Sequence, residues 1–196
     1  MNILIACEES GTVRRAFNVM GHNAKSCDIL PSADHSENHI QGDIQDVDLS
    51  EFDLMIAHPP CTFMCNSGVS WLHKDPKRWD ELRYANEFFN YLWKSEIKHI
   101  CIENPIPHKY ALLPRYDQLI QPWQFGHGET KATCLWLKNL PQLKPTNIVD
   151  GREQRLHKLP PSKDRAKIRS RTYQGIAKAM AEQWGDLLVT LGENGN

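Results

Sequence analysis

A cysteine follows an apolar segment and two prolines in the sequence DLMIAHPPCTFMCNSG, residues 53–68. Residues 53–57 have the length and composition of a buried strand, and the prolines after them predict a loop. A thiol at a strand end is open to a substrate, and nearby backbone donors and cations can stabilise its thiolate. The pattern therefore makes Cys61 a candidate nucleophile. The simpler alternative is a small hydrophobic residue at the end of a strand.

A carboxyl group follows a second apolar segment. Glu103 and Asn104 come directly after residues 98–102, KHICI. Partial burial at this position is expected to raise the pKa of Glu103 and to keep its carboxyl protonated or sharing a proton. A carboxyl in that state can hydrogen-bond the Watson–Crick edge of a nucleic-acid base. The simpler alternative is a strand-end acid that forms a salt bridge.

Predicted strands and helices alternate along the chain that carries these groups. Short apolar segments predict the strands, and apolar residues spaced by three and four predict the helices. The alternation indicates an α/β fold, a Rossmann-like, mostly parallel sheet with helices on both faces. Strands are expected at 2–6, 22–27, 39–41, 53–57, 98–102 and 133–137. Helices are expected around Val13, Ala16, Phe17 and Met20, at 77–93 with Trp79, Leu82, Ala85, Phe89 and Leu92 facing inward, and at 173–184.

Polar or reactive residues follow five of these strands. In a parallel α/β sheet, ligands bind at the carboxyl ends of the strands. The residues expected at that edge are Glu8 to Gly11 after the first strand, Asp28 after the second, Asp43 after the third, Cys61 after the fourth and Glu103-Asn104 after the fifth. Their alignment predicts one site.

The first half of this edge has features of a cofactor site. The turn after the first strand, EESGT, contains one glycine and no GxGxxG motif, which disfavours a nicotinamide dinucleotide. Asp28, at the end of the second strand, can bind ribose hydroxyls. The combination favours an adenosine-bearing ligand without a pyrophosphate, such as S-adenosylmethionine. The alternative for Asp28 is a solvent-exposed turn residue.

Charge is unevenly distributed along the chain. The net charge is −1, but residues 151–172 contain eight basic and two acidic residues. A basic segment on an acidic body is typical of an element that contacts phosphates, although a solvated linker has the same composition. The residues that we expect to contact nucleic acid are Lys131, Arg152, Arg155, Arg165, Arg169 and Arg171.

The order of these motifs resembles the DNA cytosine-C5 methyltransferase family. Pro60-Cys61 resembles the family's Pro-Cys loop after the fourth strand, and Glu103-Asn104-Pro105 its Glu-Asn-Val motif after the fifth. Gly42-Asp43-Ile44 is similar to its Gly-Asp-Ile motif, and the stretch from Gly21-His22 to Asp28 to its second strand. The resemblance covers about residues 1–110, and the chain is also similar to compact phage and prophage members of the family.

The resemblance implies a reaction and a cofactor. Cys61 would attack C6 of cytosine, Glu103 would contact N3 and the exocyclic amine, and Asn104 would orient the loop. S-adenosylmethionine would donate the methyl group, with its ribose held by Asp28 and its adenine by Asp43. Further cofactor contacts are expected at Glu8, Ser10, Gly11, Ile29, Ile44 and Pro59.

Three departures from the family bear on the substrate. The first-strand turn lacks the family's Phe-x-Gly-x-Gly, and Lys131 stands near the expected place of a missing Gln-x-Arg-x-Arg motif. About 30 residues, 141–172, take the place of a large target-recognition region. Duplex DNA, single-stranded DNA, a free cytosine nucleotide and the need for a partner subunit or homo-oligomer all stay open.

Two other functions fit parts of the sequence. Amino-methyltransferases acting on cytosine N4 or adenine N6 use a loop similar to His58-Pro59-Pro60-Cys61, but need neither a cysteine nor Glu103. A catalytically inactive nucleic-acid-binding relative would need neither residue.

The organisation of the chain is predicted in three parts. We expect a catalytic core at residues 1–140, a basic proline-containing segment at 141–172, and a closing helix with a C-terminal tail at 173–196. The absence of a membrane span or signal peptide and six scattered cysteines predict a cytoplasmic protein with no membrane partner, in the host cytoplasm if phage-encoded. The candidate metal ligands are His58, Cys61 and Cys65. Their spacing does not match the familiar zinc-finger patterns, so no metal site is predicted.

Overall fold

Seven strands form a single sheet within residues 1–185, the part of the chain that the computed structural model describes. The strands are β1 (Asn2–Ala6), β2 (Asn23–Asp28), β3 (His39–Gln41), β4 (Leu54–Ala57), β5 (His99–Pro105), β6 (Gln118–Ile120) and β7 (Thr133–Lys138). Their order is β3-β2-β1-β4-β5-β7-β6. The first five strands are parallel, and β7 is antiparallel to both of its neighbours.

Helices cover both faces of the sheet, as predicted. They are α1 (Thr12–Val19), α2 (Lys77–Trp93), α3 (Arg155–Lys158), α4 (Arg165–Ser170) and α5 (Gln174–Met180), which continues into a π turn at Ala181–Gly185. Successive residues of a strand point to opposite faces. Ile3 and Ile5 accordingly pack against α1 and α5, whereas Leu4 and Ala6 pack in the cluster that contains α2. The Rossmann-like sheet expected from the sequence is thus confirmed.

The strand register brings the candidate residues to one edge of the sheet. Ala6 lies beside Cys27 on one side and Ala57 on the other, and Ala57 lies beside Ile102. The next residue along each strand therefore occurs at the same level, and these residues are Cys7, Asp28, His58 and Glu103.

Several local predictions were wrong. Met20 lies after the last residue of α1 and is 40 % exposed, and Trp79, predicted to face inward, is 41 % exposed and contacts the rings of His73 and Tyr110 edge to face. Glu103 and Asn104 lie within β5, where the ladder with β7 continues as far as Pro105. The sequence did not reveal β6, α3 or α4, which are too short for a clear periodicity.

The C-terminal part matches its prediction over a shorter range. The closing helix predicted at 173–184 is present as α5 and its π turn, packed on α1. The predicted tail, residues 186–196, lies outside the described residues. Within residues 1–185, no helix is both long and apolar enough to cross a bilayer.

A buried ion pair fixes the loop after β2 to α1. The guanidinium of Arg14, 1 % exposed, donates to Asp34 Oδ1 and Oδ2 at 2.6 and 2.5 Å, and Arg15 also contacts Asp34. Burial alone would raise the pKa of Asp34, but hydrogen bonds from Arg14, Ser32 and Arg15 outweigh it and hold that pKa well below its ordinary value. The pair therefore stabilises the loop that begins with Asp28 and Ile29.

Replacing Asp34 with asparagine should lower the free energy of unfolding by about 2–3 kcal/mol at pH 7, because it leaves the charge of Arg14 buried and unpaired. The pKa of Asp34 is lower in the folded protein, so its contribution is present above the unfolded value of about 3.9 and is lost as the pH falls. Urea unfolding at pH 7 and pH 3 measures both effects. Asp48→Asn is the control, since this exposed acid only caps a turn at Ser50. An equal loss in both variants would contradict the prediction.

Candidate active site

A cavity of about 680 Å³ opens at the carboxyl edge of the sheet. The predicted site residues that line it are Glu8, Ser10, Asp28, Ile29, Asp43, Ile44, Pro59, Cys61, Glu103, Lys131, Arg169 and Arg171. Those that do not line it are Gly11, Asn104, Arg152, Arg155 and Arg165. The strand order places β2 and β3 on one side of β1, and β4 and β5 on the other. The cavity therefore extends from the candidate cofactor residues to Cys61 and Glu103.

Two carboxyl groups mark the β2–β3 side. Partial burial raises the pKa of Asp28, opposed in part by the backbone N–H of Leu30, which donates to Asp28 Oδ1 at 2.9 Å. Asp43 Oδ1 accepts from the backbone N–H of Gln45 at 3.0 Å. Both carboxyls are thus fixed by the backbone that follows them. Ile29 beside them is 72 % exposed, which leaves an apolar surface for a flat ring.

The turn after β1 has a mainly structural role. Glu8, 5 % exposed, accepts from the backbone N–H groups of Val13 at 2.7 Å and Arg14 at 3.3 Å, and so caps α1. Gly11 has φ +65°, and a Cβ there would lie 2.3 Å from Arg14 Nη2. Glycine is therefore required by the backbone and by the buried guanidinium, and the cofactor contact predicted for Gly11 has no support in the cavity lining.

The loop that carries Cys61 is held from two sides. The backbone carbonyl of Cys61 accepts from the backbone N–H groups of Met64 and Cys65 at 3.1 and 3.0 Å. Asn104, 1 % exposed, donates from Nδ2 to the carbonyl of Pro59 at 3.4 Å, which fits the predicted role of orienting this loop. A hydrogen bond with Cys65 and burial raise the pKa of the Cys61 thiol, and Lys131 opposes the rise. The raised pKa favours the protonated thiol of Cys61, whereas the sequence suggested a stabilised thiolate.

Glu103 lies buried between polar partners. Its Oε2 accepts from His58 Nδ1 at 2.9 Å, with both side chains about 10 % exposed. Burial alone would raise the pKa of Glu103, but the hydrogen bond from His58, the charge of Lys131 and a hydrogen bond from Thr133 lower it overall. The raised pKa expected from the sequence is therefore wrong. Since the pattern of apolar neighbours does not reveal His58 or Lys131 as partners, the sequence could only indicate the burial.

The predicted phosphate contacts fall into two groups. Arg152 stacks over Trp123 at 3.9 Å from the ring centroid, Arg155 pairs with Glu129 at 3.0 Å, and Arg165 donates to the carbonyl of Leu159 at 3.0 Å. These three guanidiniums have partners within the protein. Lys131, Arg169 and Arg171 instead line the cavity, and Lys131 Nζ donates to the carbonyl of Arg171 at 3.2 Å.

The sequence did not single out several residues of the cavity. Residues 163–172 supply part of its lining, and Lys167 Nζ contacts Glu9 at 3.5 Å. Their basic composition was a signal for phosphate contact but carried no information on where the segment packs. The sequence named His58 as a candidate metal ligand and as the first residue of the loop that resembles the amino-methyltransferases, but gave no signal that it pairs with Glu103.

Comparison with known proteins identifies the fold. No protein-family model matches the chain, and no curated protein sequence does. Among solved structures, the chain is similar to a prophage-encoded E. coli protein described as a DNA modification methyltransferase, with 14 % identity and a TM-score of 0.51 over 76 % of this chain and 52 % of that one. It is also similar to the Entamoeba histolytica methyltransferase EhMeth, with 17 % identity and a TM-score of 0.50 over 76 % of this chain and 57 % of that one.

The chain thus spans little more than half the length of these two proteins. At such low identity the likeness concerns the fold. The seven-stranded, mostly parallel sheet with helices on both faces is a Rossmann-like fold, similar to the folds of these two structures.

Proposed function

We propose that this chain transfers a methyl group from S-adenosylmethionine to C5 of cytosine in DNA, through a transient bond between Cys61 and C6 of the base. One observation carries the proposal: Cys61, Glu103 and Lys131 share a cavity with the carboxyl groups that follow β2 and β3. A nucleophile and a base-binding carboxyl thus lie beside a site suited to an adenosine-bearing ligand. The description of the E. coli prophage structure as a DNA modification methyltransferase supports DNA as the substrate.

The chemistry of the cavity lining fits the cofactor. Asp28 and Asp43 offer carboxylate acceptors for hydroxyl and amino groups, and Ile29 and Ile44 offer apolar contacts for a purine. Glu8 and Glu9 add negative charge at the end of β1. The turn after β1 lacks the GxGxxG motif that a dinucleotide pyrophosphate needs, whereas carboxyl groups beside apolar side chains suit an adenosine-bearing sulfonium. When bound, S-adenosylmethionine would supply an electrophilic methyl group.

The reaction divides between two side chains and the base. The Cys61 proton passes to the Glu103 carboxylate and on to N3 as the sulfur adds to C6, so that Glu103 offsets the negative charge that would develop at N3. C5 thereby becomes the position that would accept the methyl group, as the bond between the methyl carbon and the donor sulfur breaks. The C5 proton then leaves to solvent, the Cys61 sulfur departs from C6, and the N3 proton returns through Glu103 to the thiolate, which restores the aromatic ring. The positive charge of Lys131 acts on both Cys61 and Glu103, and it opposes the rise in the pKa of the Cys61 thiol.

The position of the transferred methyl group tests the proposal. Labelled S-adenosylmethionine is offered with duplex DNA, single-stranded DNA or free dCMP, and the products are digested to nucleosides and identified by mass spectrometry. We expect 5-methylcytosine in at least one reaction. Label at cytosine N4 or adenine N6 would support an amino-methyltransferase instead. Cofactor binding without transfer to any substrate would support a nucleic-acid-binding protein without turnover.

A further inference from the structure

A group of aromatic side chains lies at the surface beside the Cys61 loop and takes no part in the proposed chemistry. The rings of His73, Trp79 and Tyr110 contact one another edge to face, with centroids 5.4–5.8 Å apart. Trp79 is 41 % exposed, and Trp71 close by in sequence is 54 % exposed. We call these four residues the aromatic patch. Large exposed aromatic side chains that cluster in this way are typical of a binding surface.

Cations accompany the rings. Lys74 lies over Trp71, Lys109 over Tyr110 and Arg78 over Phe63, each 4.8–4.9 Å from the ring centroid. Residues 63–79 and 106–112 together contain four basic residues and one acid, Asp75. Directly after Trp79 stand two further acids, Asp80 and Glu81, of which Asp80 is paired with Arg83. The patch therefore combines flat apolar faces with positive charge, which complements the bases and phosphates of a nucleic acid.

The aromatic patch is joined to the Cys61 loop through His108, whose ring centroid lies 6.0 Å from that of Tyr110. The N–H of His108 donates to the carbonyl of Met64 at 2.9 Å, and His108 Nε2 contacts the carbonyl of Phe63 at 2.8 Å. Met64 in turn donates to the carbonyl of Cys61 at 3.1 Å. A polynucleotide with one base in the cavity would thus leave it close to the patch. Lys163, Arg169 and Arg171, which line the cavity, offer phosphate contacts.

We propose that the aromatic patch binds single-stranded DNA next to the target cytosine, by stacking unpaired bases on Trp71 and Trp79. The proposal rests on the proposed function and narrows its substrate to a single strand. Unpaired bases expose their faces to aromatic side chains, whereas the bases of a duplex are already stacked on one another. A strand that is already single also avoids the cost of extruding a paired base.

Direct binding measurements test the proposal without any methyl transfer. Fluorescence anisotropy follows a labelled cytosine-containing oligonucleotide, as a single strand and as the same strand in a duplex, in the absence of cofactor. We expect single-stranded DNA to bind at least about 10-fold more tightly than the duplex. Trp71→Ala and Trp79→Ala should each weaken single-strand binding about 10-fold, the scale of one lost base stack. Trp79→Phe should keep most of the affinity.

Tyr91→Ala is the matched control, because Tyr91 is 36 % exposed on the same helix but lies more than three turns from Trp79. It should bind as the unchanged protein does. Circular dichroism and thermal unfolding check that every variant is folded. Equal affinity for duplex and single strand, tighter binding of the equivalent RNA, or folded tryptophan variants with unchanged affinity would each overturn the proposal. Because no cofactor is present, these outcomes are independent of whether cytosine is methylated.

Discussion

Replacement of Cys61 with alanine is expected to lower methyl transfer to cytosine C5 by at least about 1,000-fold. The sulfur supplies the electron pair that makes C5 nucleophilic, and alanine leaves the base with no partner at C6. The loop should keep its shape, since the Cys61 carbonyl still accepts from the backbone N–H groups of Met64 and Cys65, and the variant loses only the hydrogen bond between the thiol and Cys65. Single-turnover transfer of labelled methyl, with product nucleosides identified by mass spectrometry, measures the effect.

Two further measurements make the Cys61 result specific. Thr62→Ala changes an exposed neighbour in the same loop and should leave transfer within about 3-fold of the unchanged protein. An oligonucleotide with 5-fluorocytosine should trap the protein, because fluorine at C5 cannot leave as a cation once the methyl group has been added. Intact mass should then show protein, oligonucleotide and methyl group joined through Cys61. Transfer that survives Cys61→Ala, with label on an exocyclic amine, would contradict the C5 mechanism.

The sequence predicted the edge of the sheet well because that edge depends on local signals. Apolar segments marked the buried strands, and in a parallel sheet each strand must end at the same edge. Asp28, Cys61 and Glu103 therefore share a cavity, although 42 residues separate the last two. The sequence also placed Gly11 in the turn after β1. Only the structure revealed that a side chain at this position would clash with Arg14.

The sequence could not predict pairings that depend on tertiary packing. His58 and Glu103 meet only because β4 and β5 pair in one particular register. The direction of the Glu103 pKa follows from that contact and from Lys131, both distant in sequence. The contribution of residues 163–172 to the cavity lining likewise depends on tertiary packing. Their basic composition indicates contact with phosphate or solvent, but it does not say which part of the fold the segment packs against.

Glu103→Gln is expected to lower the rate of methyl transfer about 100- to 1,000-fold, the scale of losing one group that stabilises charge in a transition state. Glutamine has nearly the same shape and can still accept from His58 Nδ1, so the cavity should persist. It carries no charge and cannot pass a proton to N3. Single-turnover rates measure the loss, and Asp117→Asn, which removes an acid outside the cavity, is the control. Unchanged rates would exclude Glu103 from the reaction.

The same variant also tests the lowered pKa of Glu103. Because that pKa is lower in the folded protein, ionised Glu103 stabilises folding above the unfolded value of about 4.3, and the contribution is lost as the pH falls through the folded pKa. The difference in unfolding free energy between the unchanged protein and Glu103→Gln should therefore decrease from pH 7 to pH 3. Other acids titrate equally in both proteins, so urea unfolding across this range isolates Glu103. If the difference in unfolding free energy instead grows in favour of the unchanged protein at low pH, burial has a larger effect on the pKa of Glu103 than His58 and Lys131 have. Glu103 would then be a protonated acid in the cavity.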